Sequence, residues 1–262
     1  CYEIVPSSTL GTQNASPMTM AEVAQTIANH GEHCEPIAIL SVTVAGMASA
    51  ATPPTVLITG ANRGIGLELA RVFAAKGYKV IGTARDPADA KDLSAAADRV
   101  EPLDVTDAAS VAALASRLQG VPIDILVNNA GVFDRKDVTI DKVDFVMMEQ
   151  TFAVNTLGPL RVTQALLPNL RASKRRTIVS ISSQLGSIEK SDGRWYAYRA
   201  SKAALNQINK TLSAELAPEG FTCVVLHPGW VRTDLGGKGA TYSPQESVAG
   251  LIAVIEKLGP TD

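Results

Sequence analysis

The chain has 262 residues, 46% of them hydrophobic, enough to bury the core of one large α/β domain or of one domain with a tail. Its 24 Lys and Arg against 26 Asp and Glu leave a formal charge of −2, which lacks the basic excess of a nucleic-acid or membrane-surface binder. The 3 cysteines, Cys1, Cys34 and Cys223, are too few for a disulfide framework and point to a reducing, cytoplasmic setting.

In chain order, residues 1–52 read as an N-terminal extension with no assigned function. Turn-rich patches at 6–8 and 14–17 precede one expected helix at 18–29, opened by Ser16-Pro17 and closed by 29–31. The apolar run at 37–51 is shorter than the roughly 20 residues that span a bilayer. Ala48-Ser49-Ala50 resembles a signal-peptidase site, but the stretch is internal and follows Glu32 and Glu35, so it is not read as a targeting signal. His30, His33 and Cys34 lack a second ligand cluster, and no metal is expected. Cys rather than Met at position 1 points to a fragment or a processed chain.

Character changes at Thr52-Pro53-Pro54, and residues 53–262 read as one domain. Short β-branched runs lie at 55–59, 79–84, 100–103, 123–128, 177–182 and 222–227. Between them come amphipathic stretches at 64–76, 107–118, 143–170, 196–216 and 244–257. Such alternation predicts a Rossmann-type doubly wound parallel sheet in the order 3-2-1-4-5-6, covered by helices on both faces. No 20–50-residue repeat is visible.

The first run ends in Thr59-Gly60-Ala61-Asn62-Arg63-Gly64-Ile65-Gly66 and leads into a helix. Glycines permit a tight turn and let backbone N–H groups approach a pyrophosphate, and the helix N-terminus adds partial positive charge. No Gly-Lys-Ser/Thr follows, which excludes a Walker-type loop. The second run ends Thr83-Ala84-Arg85-Asp86. A carboxylate there usually holds a free ribose 2′-hydroxyl, whereas a guanidinium suits a 2′-phosphate. Arg85, with Arg63 nearby, therefore favours NADP(H); Asp86 is the counter-signal for NAD.

Three later segments add chemistry. Asn128-Asn129-Ala130-Gly131 ends the fourth run, Ile181-Ser182-Ser183 the fifth, and Tyr198-Arg199-Ala200-Ser201-Lys202 opens the next helix. Tyr198 and Lys202 share one helical face, so the ammonium is expected to lower the phenol's pKa from about 10. The phenol could then exchange a proton with substrate, while a serine hydroxyl at a strand end bonds the substrate oxygen.

Together these motifs resemble the short-chain dehydrogenase/reductase family over residues 54–259. The resemblance rests on Gly60-x-x-x-Gly64-x-Gly66, Asn128-Asn129-Ala130-Gly131, Asn155, Ser183, Tyr198-x-x-x-Lys202 and Pro228-Gly229. It implies that Tyr198 is the acid/base, Ser183 orients the carbonyl and Lys202 contacts the nicotinamide ribose. Asn155 looks like the asparagine that positions a proton-relay water, Asp104 beside Val105 like the adenine contact, and Thr233 like the carboxamide contact. The cofactor surface is expected to comprise Gly60, Asn62, Arg63, Gly64, Ile65, Gly66, Arg85, Asp104, Val105, Asn129, Ala130, Gly131, Tyr198, Lys202, Pro228, Gly229, Val231 and Thr233. Leu185-Gly186-Ser187-Ile188, Tyr196-Ala197-Tyr198-Arg199 and His227-Pro228-Gly229-Trp230-Val231-Arg232-Thr233-Asp234 resemble the C-factor and sniffer-like carbonyl reductases of that family.

The resemblance implies an oxidoreductase moving a hydride between NADP(H) and a small carbonyl or alcohol, without nucleic-acid or membrane partners; a homo-oligomer is left open. Two alternatives remain, an NAD-linked alcohol dehydrogenase and a cofactor-binding signalling protein of the C-factor kind. Parts of 16–39 loosely resemble the C-terminal part of a penicillin-binding transpeptidase, without its Ser-x-x-Lys or Lys-Thr-Gly motifs. Family members usually continue into a seventh strand, for which this chain shows no run, so 222–227 is expected at a sheet edge.

Overall fold

The β-branched runs form six parallel strands, β1 (Thr55–Ile58), β2 (Lys79–Ala84), β3 (Arg99–Pro102), β4 (Ile125–Asn128), β5 (Thr177–Ile181) and β6 (Thr222–Leu226). They pair in the expected order, 3-2-1-4-5-6, in a computed structural model that describes residues 52–136 and 139–259. The extension's expected helix, its apolar run and its transpeptidase-like stretch lie outside the described residues. So does any continuation after Gly259; among the described residues β6 is one edge of the sheet and β3 the other.

Alternation along each strand divides the core in two. Val56, Ile58 and Val127 face one way, onto Leu69 and Phe73 of α1 (Gly64–Ala75) and Leu251 and Ile255 far along the chain. Leu57, Leu126 and Ile178 face the other, onto Leu114, Val162 and Leu166. The remaining helices, in chain order, are α2 (Lys91–Ser94), α3 (Ala108–Arg117), α4 (Phe145–Phe152), α5 (Gly158–Arg171), α6 (Tyr196–Leu216) and α7 (Pro244–Lys257). α1 and α7 cover the first face, α3 and α5 the second. Asp107 caps α3, Asp144 caps α4 and Ser243 closes a capping box with Glu246 on α7, so these starts are written locally. No helix among the described residues is long and apolar enough to cross a membrane.

The expected stretch 143–170 is helical from Phe145 to Arg171 but not α-helical throughout: a π-helical segment at Ala153–Leu157 joins α4 to α5. Gly158 opens α5 where a Cβ would come 2.8 Å from Val105 Cγ2, so the helix can lie against the segment after β3 only without a side chain there. Pro159 follows in the first turn, where its missing N–H does no harm.

The turn after β1 is built by neighbouring strands. Thr59 Oγ1 accepts the backbone N–H groups of Asn129 and Ala130, both at 3.0 Å. Asn129 Nδ2 returns bonds to the Thr59 and Gly60 carbonyls at 2.9 and 3.0 Å. Gly60 takes a left-handed φ of +61°, and α1 starts so close beneath that a Cβ on Gly66 would lie 2.5 Å from both the Gly60 carbonyl and Asn129 Nδ2. Gly66→Ala should therefore push α1 off the turn and cost about 1–3 kcal/mol. Urea unfolding followed by circular dichroism should show a lower midpoint; an unchanged midpoint would contradict this packing.

Candidate active site

Helix α6 begins after Trp195, which holds a left-handed backbone (φ 59°, ψ 56°) unusual for a bulky residue. The turn aims Tyr198 and Lys202, four residues apart, inward along one face; they are 8% and 4% exposed. The Lys202 ammonium donates to the Ile181 carbonyl at 2.8 Å and lies 5.8 Å from the centre of the Tyr198 ring. The Ser183 hydroxyl hydrogen-bonds the Tyr198 phenol. Ser182 turns away, donating to Asn206 Oδ1 at 2.6 Å, so of the two serines at the end of β5 only Ser183 meets the phenol.

The protonation expected from sequence is corrected. Burial pushes the Tyr198 phenol up to about 12, and the Ser183 hydrogen bond opposes that rise. Burial also pushes Lys202 down to about 8. Helical spacing places the two groups on one face, but both have left water, and desolvation sets the direction of each shift. In the free protein the phenol keeps its proton at neutral pH.

Asn155 sits inside the π segment, fully buried. Its Oδ1 accepts the Val132 N–H at 2.8 Å, and its Nδ2 donates to the Val132 carbonyl at 2.9 Å and to Ser201 Oγ at 3.1 Å. Thr156 Oγ1 adds a bond to the Ser201 carbonyl at 2.9 Å. The widened turn thus ties the segment after β4 to the face of α6 that carries Tyr198 and Lys202. Gly131, in that segment, has Lys202 Nζ 3.9 Å from where its Cβ would stand.

The remaining expected residues gather at the carboxyl ends of the strands. Gly60 and Gly64 both have positive φ, and Asn62 and Arg63 are exposed between them. Arg63 lies 3.7 Å from Asp234 Oδ2 and offers α1 no side-chain cap. Ile65 packs on the first core face. Arg85 stands exposed just after β2, and its charge reaches Asp104. Hydrogen bonds from the Thr106 side chain and backbone hold the Asp104 carboxyl below its usual range. The Val105 carbonyl accepts Arg161 Nη1 at 2.7 Å. After β6, the Pro228 carbonyl accepts Ser247 Oγ at 2.6 Å, Gly229 turns against the Tyr242 ring with φ +80°, and Val231 is buried. Thr233 reaches the glycine turn: its Cγ2 would stand 3.2 Å from a Cβ on Gly64. Asp86, the sequence's one signal for NAD, spends Oδ1 on the Ala88 N–H at 2.9 Å.

Several residues of the site were given no role from the sequence. Phe133 packs on Tyr198, ring centres 4.4 Å apart, and meets Trp195 edge-on at 5.6 Å. Arg135 Nη2 bonds the Leu235 carbonyl at 2.7 Å, bridging the segments after β4 and β6. His227 accepts the Gln184 N–H on Nδ1 at 3.2 Å, and burial pushes its pKa down to about 4. No acidic, His or Cys cluster among the described residues could hold a metal.

Known proteins share this arrangement. The short chain dehydrogenase family model matches residues 54–241. A protein named C-signal from Myxococcus xanthus is 49% identical over 140 residues, 53% of this chain and 84% of that protein. Among solved structures, an NADPH-bound carbonyl reductase from chicken fatty liver superposes with a TM-score of 0.74 at 36% identity, covering 80% of this chain and 89% of that one. The carbonyl reductase Sniffer of D. melanogaster gives a TM-score of 0.74 at 33% identity, covering 79% and 93%. The parallel sheet, the glycine turn and the match across most of its length agree that the chain belongs to the short-chain dehydrogenase family.

Proposed function

We propose that the chain is an NADP(H)-dependent carbonyl reductase in which Tyr198 gives the proton and Ser183 holds the substrate oxygen. The observation that carries this reading is the Ser183–Tyr198 hydrogen bond beside a buried ammonium, at the mouth between β4 and β5. The carbonyl reductases from chicken fatty liver and D. melanogaster support the reaction class.

The residues fit a dinucleotide carrying a 2′-phosphate. α1 starts with neither a side-chain cap nor an acid in its first turn, which leaves its N–H groups for an anion. Arg85 and Arg63 stand exposed nearby, and Asp86 is engaged in its own turn. Asp104 and Val105 would flank the adenine, and Pro228, Gly229, Val231 and Thr233 the carboxamide. When bound, NADP(H) supplies or accepts the hydride at its nicotinamide ring.

The protein's residues handle the oxygen. Ser183 donates a hydrogen bond to the carbonyl oxygen and stabilises charge as it develops. Tyr198 passes its proton to that oxygen; a phenol at about 12 is held protonated at neutral pH, the state a reduction needs. Lys202, still largely charged at neutral pH, would hold the nicotinamide ribose and favour the phenolate as it forms. Asn155 fixes the segment after β4 beside Lys202, where it would position a proton-relay water. A second reading, a signalling protein, has the likeness to C-signal in its favour.

Tyr198→Phe should abolish carbonyl reduction while NADPH affinity, read by fluorescence titration, stays within about threefold, because the ring packing on Phe133 survives. Activity within threefold of the unmutated enzyme would sink the assignment. The unmutated enzyme should prefer NADPH to NADH in kcat/KM. Arg85→Ala should cut that preference by roughly ten- to hundredfold, since a lost charge-assisted contact costs about 1.5–3 kcal/mol. A preference for NADH in the unmutated enzyme would contradict the role given to Arg85.

A further inference from the structure

The β5–β6 ladder needs one more rung than the β6 backbone supplies. Parallel strands exchange evenly spaced N–H···O bonds, and this pairing reaches Ser182, whose N–H donates to the Leu226 carbonyl at 2.8 Å. The next N–H aimed across the pair belongs to Gln184. Continued regularly, the ladder would offer it the Pro228 carbonyl. That carbonyl already accepts Ser247 Oγ at 2.6 Å, and the chain turns away at Gly229 with φ +80°. The Gln184 N–H instead goes to a side chain, His227 Nδ1, at 3.2 Å.

Ser183 lies between these two anchored amides. Its own Oγ accepts the Leu185 N–H at 3.1 Å and bonds the Tyr198 phenol, so backbone direction at this residue decides where the hydroxyl points. We propose that His227 is a positioning residue, completing the ladder at Gln184 and so fixing the backbone from which Ser183 presents its hydroxyl to Tyr198 and the substrate oxygen. The inference rests on the carbonyl-reductase reading of the same site. An imidazole suits the task only when neutral with its proton on Nε2, because a protonated ring would set a donor against the Gln184 donor. Burial, which pushes His227 down to about 4, keeps it neutral at the pH of catalysis.

The test uses His227→Leu, which removes the acceptor, and His227→Asn, whose side-chain oxygen can stand where Nδ1 stands. For carbonyl reduction with NADPH, His227→Leu should lower kcat about ten- to hundredfold, the scale expected when a catalytic group is misplaced by an ångström or less. NADPH affinity should stay within about twofold, and His227→Asn should recover kcat to within about threefold of the unmutated enzyme. In a Ser183→Ala background His227→Leu should cost less than about twofold further, because its effect passes through Ser183.

Three results would overturn the proposal: kcat kept in His227→Leu, equal losses in Leu and Asn variants, or full multiplication of the two losses in the double variant. Should His227→Leu fail to fold, a folded His227→Asn decides alone, supporting the role if active and refuting it if as slow as Ser183→Ala. Failure of the enzyme reading would look different, with no carbonyl reduced even by the unmutated protein.

Discussion

An ammonium held almost wholly out of water is the constraint around which the rest is arranged. Lys202 is 4% exposed, and desolvation of that charge is expensive unless oxygen acceptors surround it. The structure provides the Ile181 carbonyl at 2.8 Å, at the open end of β5, where the sheet has a main-chain oxygen to offer. Helix α6 must then run close under the carboxyl ends of β4 and β5. The segment after β4 passes over the lysine at Gly131, where a Cβ would stand 3.9 Å from Lys202 Nζ. The π segment around Asn155 clamps that segment to α6 through Val132 and Ser201. Tyr198, one turn before Lys202, is carried into the same dry pocket, and its proton chemistry follows from that burial.

Features settled by neighbours in sequence were readable before the structure. Strand alternation such as Val56, Leu57, Ile58 reports two buried faces, and Gly60, Gly64 and Gly66 mark a turn that no side chain could enter. The Tyr198–Lys202 spacing places two groups on one face whatever surrounds them. What escaped depended on the surroundings. The direction of the Tyr198 shift turns on desolvation, which spacing does not report. The π segment interrupts a stretch whose apolar periodicity runs on, and the contacts around it, Gly158 against Val105 and Asn155 on Val132, are long-range ones. His227 reads as one more residue before Pro228-Gly229 until β5 and β6 are paired. α2, only Lys91–Ser94, is too short to show a period.

The site is walled from two sides by different kinds of contact. On the cofactor side, Thr59, Asn129 and the strand ends are bonded backbone to backbone or through buried side chains. On the substrate side, Phe133, Trp195 and the Arg135–Leu235 bond join segments that follow different strands. Trp195 keeps its left-handed backbone there, and Arg194 lies 4.8 Å over its ring. On the proposed reading, the phenol, serine and lysine handle the substrate oxygen, and these side chains bound the space beside it.

The claim that hydride passes directly from cofactor to carbonyl is tested most simply with NADPH deuterated at nicotinamide C4. Each label position would be supplied in turn to the purified chain with a panel of aldehydes and ketones, and the alcohols analysed by mass spectrometry and NMR. The account predicts deuterium on the carbinol carbon from one of the two labelled positions and none from the other. NADPH oxidation without deuterium on any product carbon, or no reduction of any carbonyl, would contradict it.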